Sequence, residues 1–482
     1  MVFDYIIIGA GSAGCAVANR LSACGKFQVA LLEAGGRDRN PWIHVPVGYF
    51  KTMGNPKTDW RYTTQPDPNL NGRSIPWPRG KVLGGSSSIN GLLYVRGQPM
   101  DFDNWEQLGN EGWGWGGVLP YFKRTETWNG MPFNPELRGG DGPLAVSPTR
   151  LKRDVVDKWI SAAVTAGYSE NSDYNGAEQE GVGYFQLTMD KGRRCSSAVA
   201  YLKPALDRSN LTVLTHAKVK KLLVDSGRIS GVVGTHKGQF INLHAAREVV
   251  LCAGAIGSPQ ILMVSGIGAA DELKAVGLSP VNHLPGVGKN LQDHLQARPV
   301  FKTDLSTINS ETNNLLKKVI IGLQYILRRT GPMTMAASLG TGFLKTDNRL
   351  QTPDIQFHIQ PFSANNAIEF THPFSAFTAS VLQLRPESSG HIKLVSANID
   401  DAPEIHPNYL ATDTDQRTIV KGIQIARKIA LYEPLRSHIT AEYAPGYEVL
   451  IDDYEGTLNW ARDTAVTIYH PTGTCKMGND PM

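Results

Sequence analysis

The sequence predicts an α/β chain, α+β overall. The expected architecture is a Rossmann-like dinucleotide-binding domain with an inserted β-meander, beside a second domain whose antiparallel sheet is covered by helices. Three observations lead there. An apolar run at the amino terminus passes directly into Gly9-Ala10-Gly11-Ser12-Ala13-Gly14. Four short β-rich runs, 211–214, 219–224, 229–233 and 240–243, are separated by turn residues. Further on, 354–359 and 377–384 alternate apolar and polar residues, the period of half-buried strands.

The first unit is complete. Tyr5-Ile6-Ile7-Ile8 is long enough for a buried strand and too short for a helix. Gly9 allows the tight turn, Gly11 close approach of backbone to a pyrophosphate, and Gly14 close helix–strand packing. Residues 15–21 continue as a helix whose unpaired N–H groups can hold phosphates. The next apolar run, Val29-Ala30-Leu31-Leu32, ends in Glu33, placed to accept hydrogen bonds from ribose hydroxyls. A carboxylate there opposes the 2′-phosphate of NADP, but the unit itself does not separate NAD from FAD.

With 482 residues the chain is too long for one ordinary core, so two or more domains are expected. Hydrophobic content of 41% with 19% charged residues is that of a globular protein. A net charge of +4 gives no reason to expect a nucleic-acid partner. The five cysteines, Cys15, Cys24, Cys195, Cys252 and Cys475, are odd in number and lack metal-ligand spacing, so a reducing compartment and no metal site are expected. The nucleotide strand starts at residue 3, which leaves no room for a leader, and no apolar run is long enough to span a bilayer. The expected location is cytoplasmic, with membrane association at most peripheral.

After Glu33 the segment 34–78 is loop-like and aromatic, as expected of a cover over a site. The run from Arg79 through Gly84-Gly85-Ser86-Ser87-Ser88-Ile89-Asn90-Gly91 is small enough for backbone to pass close to a flat or charged group. Residues 138–142 read as a turn-rich surface loop. Residues 152–166 have helical spacing, with Val155, Val156, Trp159, Ile160 and Ala163 on one face. Residues 247–254 form a further strand ending in Ala253-Gly254, and Ser258-Pro259 opens a helix with proline near its first position. Residues 313–329 mix Leu, Ile and Val with Lys and Arg, a basic amphipathic helix; the expected reading is a domain-surface helix whose apolar face packs inward, with a membrane-surface role as the alternative.

Three motifs then carry a resemblance. These are Gly9 to Gly14 with Glu33-Ala34-Gly35; Gly80-Lys81-Val82-Leu83-Gly84-Gly85-Ser86-Ser87-Ser88-Ile89-Asn90; and the run from Gly254-Ala255-Ile256-Gly257-Ser258-Pro259 to Gly268. With the stretch from Gly286 to His294 and that from Tyr469-His470 to Gly478, the whole chain resembles the glucose–methanol–choline (GMC) oxidoreductases. It looks most like their bacterial choline-dehydrogenase-like and primary-alcohol dehydrogenase members. The resemblance implies FAD and oxidation of an alcohol to a carbonyl. By similarity Gly9, Gly11, Gly14 and Glu33 take the ADP half of the cofactor. Val82, Gly84, Asn90, Gly91, Leu92 and Leu93 lie along the pyrophosphate and flavin, and Val219 supports the adenine through its backbone. Ala10, Ser12, Ala13, Ala34, Ser87, Ala253, Gly254, Ser258 and Tyr469 complete the expected cofactor shell. Ile89 stands where relatives with covalent FAD have histidine, so non-covalent FAD is expected.

The same resemblance makes His470 the catalytic base that takes the hydroxyl proton as hydride leaves for the flavin. His294 and His283 are expected to be structural or cofactor-side. The expected partners are a small alcohol and an electron acceptor, a quinone or, in an oxidase, dioxygen. The domains expected are an FAD-binding domain over 1–155, with its covering loop 35–78, and 195–300; a substrate or connecting segment at 156–194; a substrate domain over 301–454; and an incomplete return to the FAD domain at 455–482. In the family the chain continues past this point with a second catalytic histidine or asparagine, so a carboxy-terminally truncated form is expected. A flavin-free, inactive binding protein is then the alternative of another class. A photodecarboxylase is disfavoured, since Arg385 is present but no cysteine lies between Cys252 and Cys475.

Overall fold

The computed structural model describes residues 1–131, 133–312, 315–364 and 371–480. Its first sheet has six strands, in the spatial order Leu211–Thr215, Val29–Glu33, Val2–Ile8, Gln239–Leu251, Arg228–His236 and Ala217–Asp225. Val2–Ile8 runs parallel to both its neighbours, pairing Ile6 with Ala30 and with Val249. Strands of a parallel sheet are covered on both faces, and Ile6 and Ile7 are accordingly inaccessible to solvent. The helix Ser12–Ser22 leaves directly from the glycine turn.

Two strands differ from expectation. Leu211–Thr215 is not part of the meander; it is the far parallel edge, with Leu211 beside Val29. The run 240–243 and the first five residues of the run 247–254 belong to one thirteen-residue strand, Gln239–Leu251, which ends before Ala253-Gly254. Its first half pairs antiparallel with Arg228–His236, and from His244 onward it pairs parallel with Val2–Ile8. This strand joins meander to parallel sheet. His244-Ala245-Ala246 breaks the apolar alternation but contains neither Gly nor Pro, so nothing stops the strand.

The helix after it begins at Gly254, with Pro259 inside it and not at its start. Proline lacks the N–H that would bond the carbonyl four residues back. Here that carbonyl, of Ala255, instead accepts the hydroxyl of Thr474 at 2.6 Å. The Tyr469–Gly478 stretch thus supplies the bond that Pro259 withholds.

The second sheet is antiparallel throughout: Ile439–Ala444, Val300–Thr303, Ala376–Gln383, Ile355–Gln360, Gly340–Leu344 and Gly181–Tyr184, with Leu295–Ala297 also paired to Ala376–Gln383. The eight residues of Ala376–Gln383 are all buried. The helix Asp413–Ile429 packs on that strand closely enough that a Cβ on Gly422 would lie 2.8 Å from Val381. Helix Asp154–Thr165 covers the sheet further along, with Trp159 against Phe357.

The short strand Val466–Thr467 pairs with Leu295–Ala297, and the Ile468 amide bonds the carbonyl of His294. That pairing sets residues 294 and 470 side by side at the junction of the two sheets. The 138–142 segment is not a surface loop at its start. Arg138 is fully buried, ion-paired to Glu126 and Asp173, with Glu126 also bound to Arg96. Buried guanidinium groups need such partners, which sequence spacing does not reveal.

Of the helix expected over 313–329, residues 313 and 314 lie outside the described residues; Leu315–Arg328 is helical, but its apolar face does not pack inward. Leu316, Val319, Ile320, Leu323, Ile326 and Leu327 are exposed, and Tyr325 is the buried side chain.

Candidate active site

A cleft of about 740 Å³ runs across the carboxyl ends of the parallel strands. Gly9, Gly11, Ser12, Ala13, Glu33, Ala34, Val219, Ala253, Gly254 and Ser258 all line it. Gly9 has φ of +95°, and a Cβ there would lie 2.5 Å from the carbonyl oxygen of Cys252. A Cβ on Gly14 would lie 1.9 Å from the Gly9 oxygen, so only glycine lets helix and strand meet. At Gly11 a Cβ would meet nothing within 4 Å; that face is open to the cleft. The helix starting here has no side-chain cap and no acidic residue in its first turn, which leaves its amide donors and positive dipole end for an anion.

Glu33 is 5% exposed, and its carboxylate accepts the amide N–H of Ala10 at 3.0 Å and of Gly35 at 2.8 Å. Burial pushes its pKa up to about 7, against the pull of those two donors and of Lys81. Each oxygen keeps a second acceptor lobe for hydroxyl donors.

Adjoining the cleft, and sharing Ser12, Arg79 and Ser86 with it, is a cavity of about 290 Å³. Ser87, Asn90, Gly91, Leu93, Tyr469 and His470 line it. Ala10, Gly14, Val82, Gly84 and Leu92 do not reach either space; they are buried in the walls behind. The Ser87–Asn90 loop is held by Arg194, which the sequence reading did not select. Its guanidinium donates to the carbonyls of Ile43, Ser87 and Asn90 at 2.7–3.1 Å. It is 2% exposed, and burial lowers its pKa to about 9.

His470 is exposed toward this cavity and hemmed in by protein on its other sides. Burial, then the neighbouring His294, His358 and Arg79, hold its pKa well below the ordinary 6.5, so the ring is neutral. Asp293 fixes the segment. One carboxylate oxygen accepts the His470 amide at 2.7 Å, the other the hydroxyls of Thr467 and Tyr409 at 2.5 Å each. Arg79 donates to the Tyr469 carbonyl at 2.6 Å, and Tyr469 itself has φ of +71°. His294 stands edge-on to His470 with ring centres 5.7 Å apart. Its Nδ1 is 2.7 Å from the Gln383 carbonyl, which makes Nδ1 the protonated nitrogen and leaves Nε2 as an acceptor. His283 is on the surface, accepting the Ala270 amide.

The far wall was not legible in the sequence. It is built by Tyr49 and Phe50 from the covering loop and by Gln296, Arg298, His358 and Gln360 from the second sheet. The Tyr49 hydroxyl, Gln296 Oε1, Arg298 Nε and His358 Nε2 are buried without a hydrogen-bond partner. Four unpaired polar atoms around one cavity mark a place built for a polar ligand. Burial lowers the pKa of Arg298 and takes that of His358 down to about 3, so the histidine is neutral. Among the described residues lining this cavity there is no Asp or Glu.

The two spaces fit a flavin dinucleotide. Glycine backbone and an uncapped helix end meet the phosphates, the buried Glu33 meets the ribose, and the small-residue loop 84–91 forms a wall for a flat ring. Comparison with known proteins agrees. Family models of the GMC oxidoreductases match residues 3–296 and 386–482. An alcohol dehydrogenase [acceptor] of Pseudomonas putida is 41% identical over all of this chain and 87% of its own length. An oxygen-dependent choline dehydrogenase of Photobacterium profundum is 39% identical over all of this chain and 84% of its own. Among solved structures, pyridoxine 4-oxidase from Mesorbium loti is 28% identical with a TM-score of 0.88, covering 99% of this chain and 89% of that one. A formate oxidase variant from Aspergillus oryzae, studied for FAD modification, is 27% identical with a TM-score of 0.90, covering 100% and 89%. The chain belongs to the GMC oxidoreductase family and is an FAD-dependent enzyme acting on CH–OH donors.

Proposed function

We propose that the chain oxidises an uncharged or anionic primary alcohol to its aldehyde in the cavity beside His470, and passes the electrons to a quinone-type acceptor. The observation that carries this reading is a neutral imidazole opening on a cavity ringed by unpaired polar atoms, next to the glycine cradle. FAD, when bound, supplies the acceptor for a hydride. Everything else falls to the chain. The neutral His470 ring takes the hydroxyl proton, and the electron pair left on oxygen drives the C–H bond to leave as hydride. The Asp293 clamp holds the ring in place through the backbone, and His294, with its bare Nε2, offers a second acceptor nearby. Tyr49, Gln296 and His358 supply polar contacts for the alcohol oxygen or its substituents. Ile89 has no nucleophilic atom, which supports non-covalent FAD.

Choline fits poorly. A trimethylammonium group needs an anion or an open aromatic cage. This cavity has no carboxylate among its described lining residues, and its aromatic rings, Tyr49, Phe50, Phe362 and Tyr469, share it with the like-charged guanidinium of Arg298. The test is a substrate panel under a soluble quinone and, separately, under air. Uncharged primary alcohols should exceed choline in kcat/KM by about a hundredfold or more, since opposed like charges cost several kcal/mol in a desolvated site. The Arg298→Met variant should narrow that ratio. Choline as the preferred substrate overturns the substrate assignment, and hydrogen peroxide formed in step with alcohol consumed overturns the quinone assignment. A purified chain without flavin colour overturns the whole reading.

A further inference from the structure

Scattered exposed apolar residues are normal on a protein surface; a contiguous row is not. On Leu315–Arg328 six such residues fall in one row. Leu316, Ile326 and Leu327 are 74%, 74% and 78% exposed, and Ile320 is 63% exposed. At 100° per residue, Leu316, Val319, Ile320, Leu323, Ile326 and Leu327 occupy a sector of about 120°. Ile321, Gly322 and Tyr325 lie on the opposite side, half-buried or buried against the protein. The Tyr325 hydroxyl donates to the Gly192 carbonyl at 3.0 Å, which fixes the rotation of the helix with the apolar row outward. This is the reverse of an ordinary amphipathic surface helix.

The surroundings of the row are basic. Residues 315–330 contain Lys317, Lys318, Arg328 and Arg329 and no acidic residue. At the carboxyl end of the helix, Leu327, Arg328 and Arg329 form one side of an open cleft of about 920 Å³. Eight Lys and Arg side chains line that cleft, Arg150, Lys191, Arg193 and Lys203 among them, against only two acidic ones, Asp38 and Asp190.

We propose that this helix and the adjoining basic cleft form a docking surface for a bilayer bearing anionic headgroups. The apolar row enters the boundary between headgroups and acyl chains, and the cations meet lipid phosphates. Charge decides between a membrane and a second copy of the chain. An isologous contact through this face would set two basic surfaces against each other, whereas an anionic surface attracts them. Among the described residues no helix is long and apolar enough to cross a membrane, so the contact is interfacial.

The experiment is vesicle co-sedimentation of the FAD-loaded protein, with phosphatidylcholine alone and with equal parts phosphatidylcholine and phosphatidylglycerol, at low and high salt. The wild type should pellet with the phosphatidylglycerol vesicles and be partly released by salt. The I320S/L323S/I326S variant should partition at least about tenfold less, with unchanged melting temperature and unchanged flavin reduction by a soluble alcohol. The R328E/R329E variant should lose the preference for phosphatidylglycerol. Wild type that stays in the supernatant, or a triple variant that pellets like wild type, overturns the proposal. So does a wild type that sediments as a dimer and is converted to monomer by the triple substitution, which would assign the face to a second copy.

Discussion

Glu33 is buried, His470 is hemmed in by protein around a ring that opens on the cavity, and the resulting loss of water moves them in opposite directions. For His470 it favours the neutral ring, so the base is already free of its proton from pH 6.5 upward. The rate of flavin reduction should therefore show no acid limb near the usual histidine range, which stopped-flow measurements between pH 6 and pH 8 (about one unit around neutrality) would check. Glu33 ionises near 4.5 when unfolded and near 7 in the fold. The unfolded state therefore loses its proton first as pH rises. The stability contributed by the neutral carboxyl is full below the lower value and is lost as pH climbs to about 7, a swing of up to about 3 kcal/mol. Urea unfolding of wild type and Glu33→Gln should diverge across that window, with wild type losing stability relative to the variant as pH rises. At this scale the sequence named Glu33 from its place after Leu32, and His470 through family resemblance. It could not name Arg298 or His358, because their role comes from which sheet face meets which loop, and single residues in alternating strands carry no sign of that.

At the scale of elements, local chemistry was readable wherever it fixed local geometry. The strand, glycine turn and helix at the amino terminus form as their residues require. The misread elements are those settled by long-range partners. Gln239–Leu251 runs unbroken because it has a neighbour on each side. Pro259 sits inside a helix because Thr474, more than two hundred residues away, takes the carbonyl it leaves free. Arg194 makes the same point for the small-residue loop, whose shape depends on one distant guanidinium. Replacing it, as Arg194→Met, strands the buried carbonyl of Ile43 and the part-buried carbonyls of Ser87 and Asn90, at an expected cost of about 1–3 kcal/mol. Chemical denaturation would measure that loss, and the variant should also retain less FAD through purification.

Across the whole molecule, the site exists only where the two sheets meet. Leu295–Ala297 belongs to the second sheet yet pairs with Val466–Thr467, and this sets His294 beside His470, which itself lines the cavity next to the nucleotide cleft. The sequence foretold both sheets but not their junction, since an antiparallel pairing of residues some 170 positions apart leaves no local trace. The central claim, alcohol oxidation at that junction with His470 as base, is tested most directly by anaerobic flavin reduction in wild type and His470→Gln. The account predicts that an uncharged primary alcohol bleaches the flavin band of the wild type, and that the variant keeps its flavin but bleaches about 10²–10⁴ times more slowly. A flavin band untouched by every alcohol, or a variant that bleaches as fast as wild type, would contradict it.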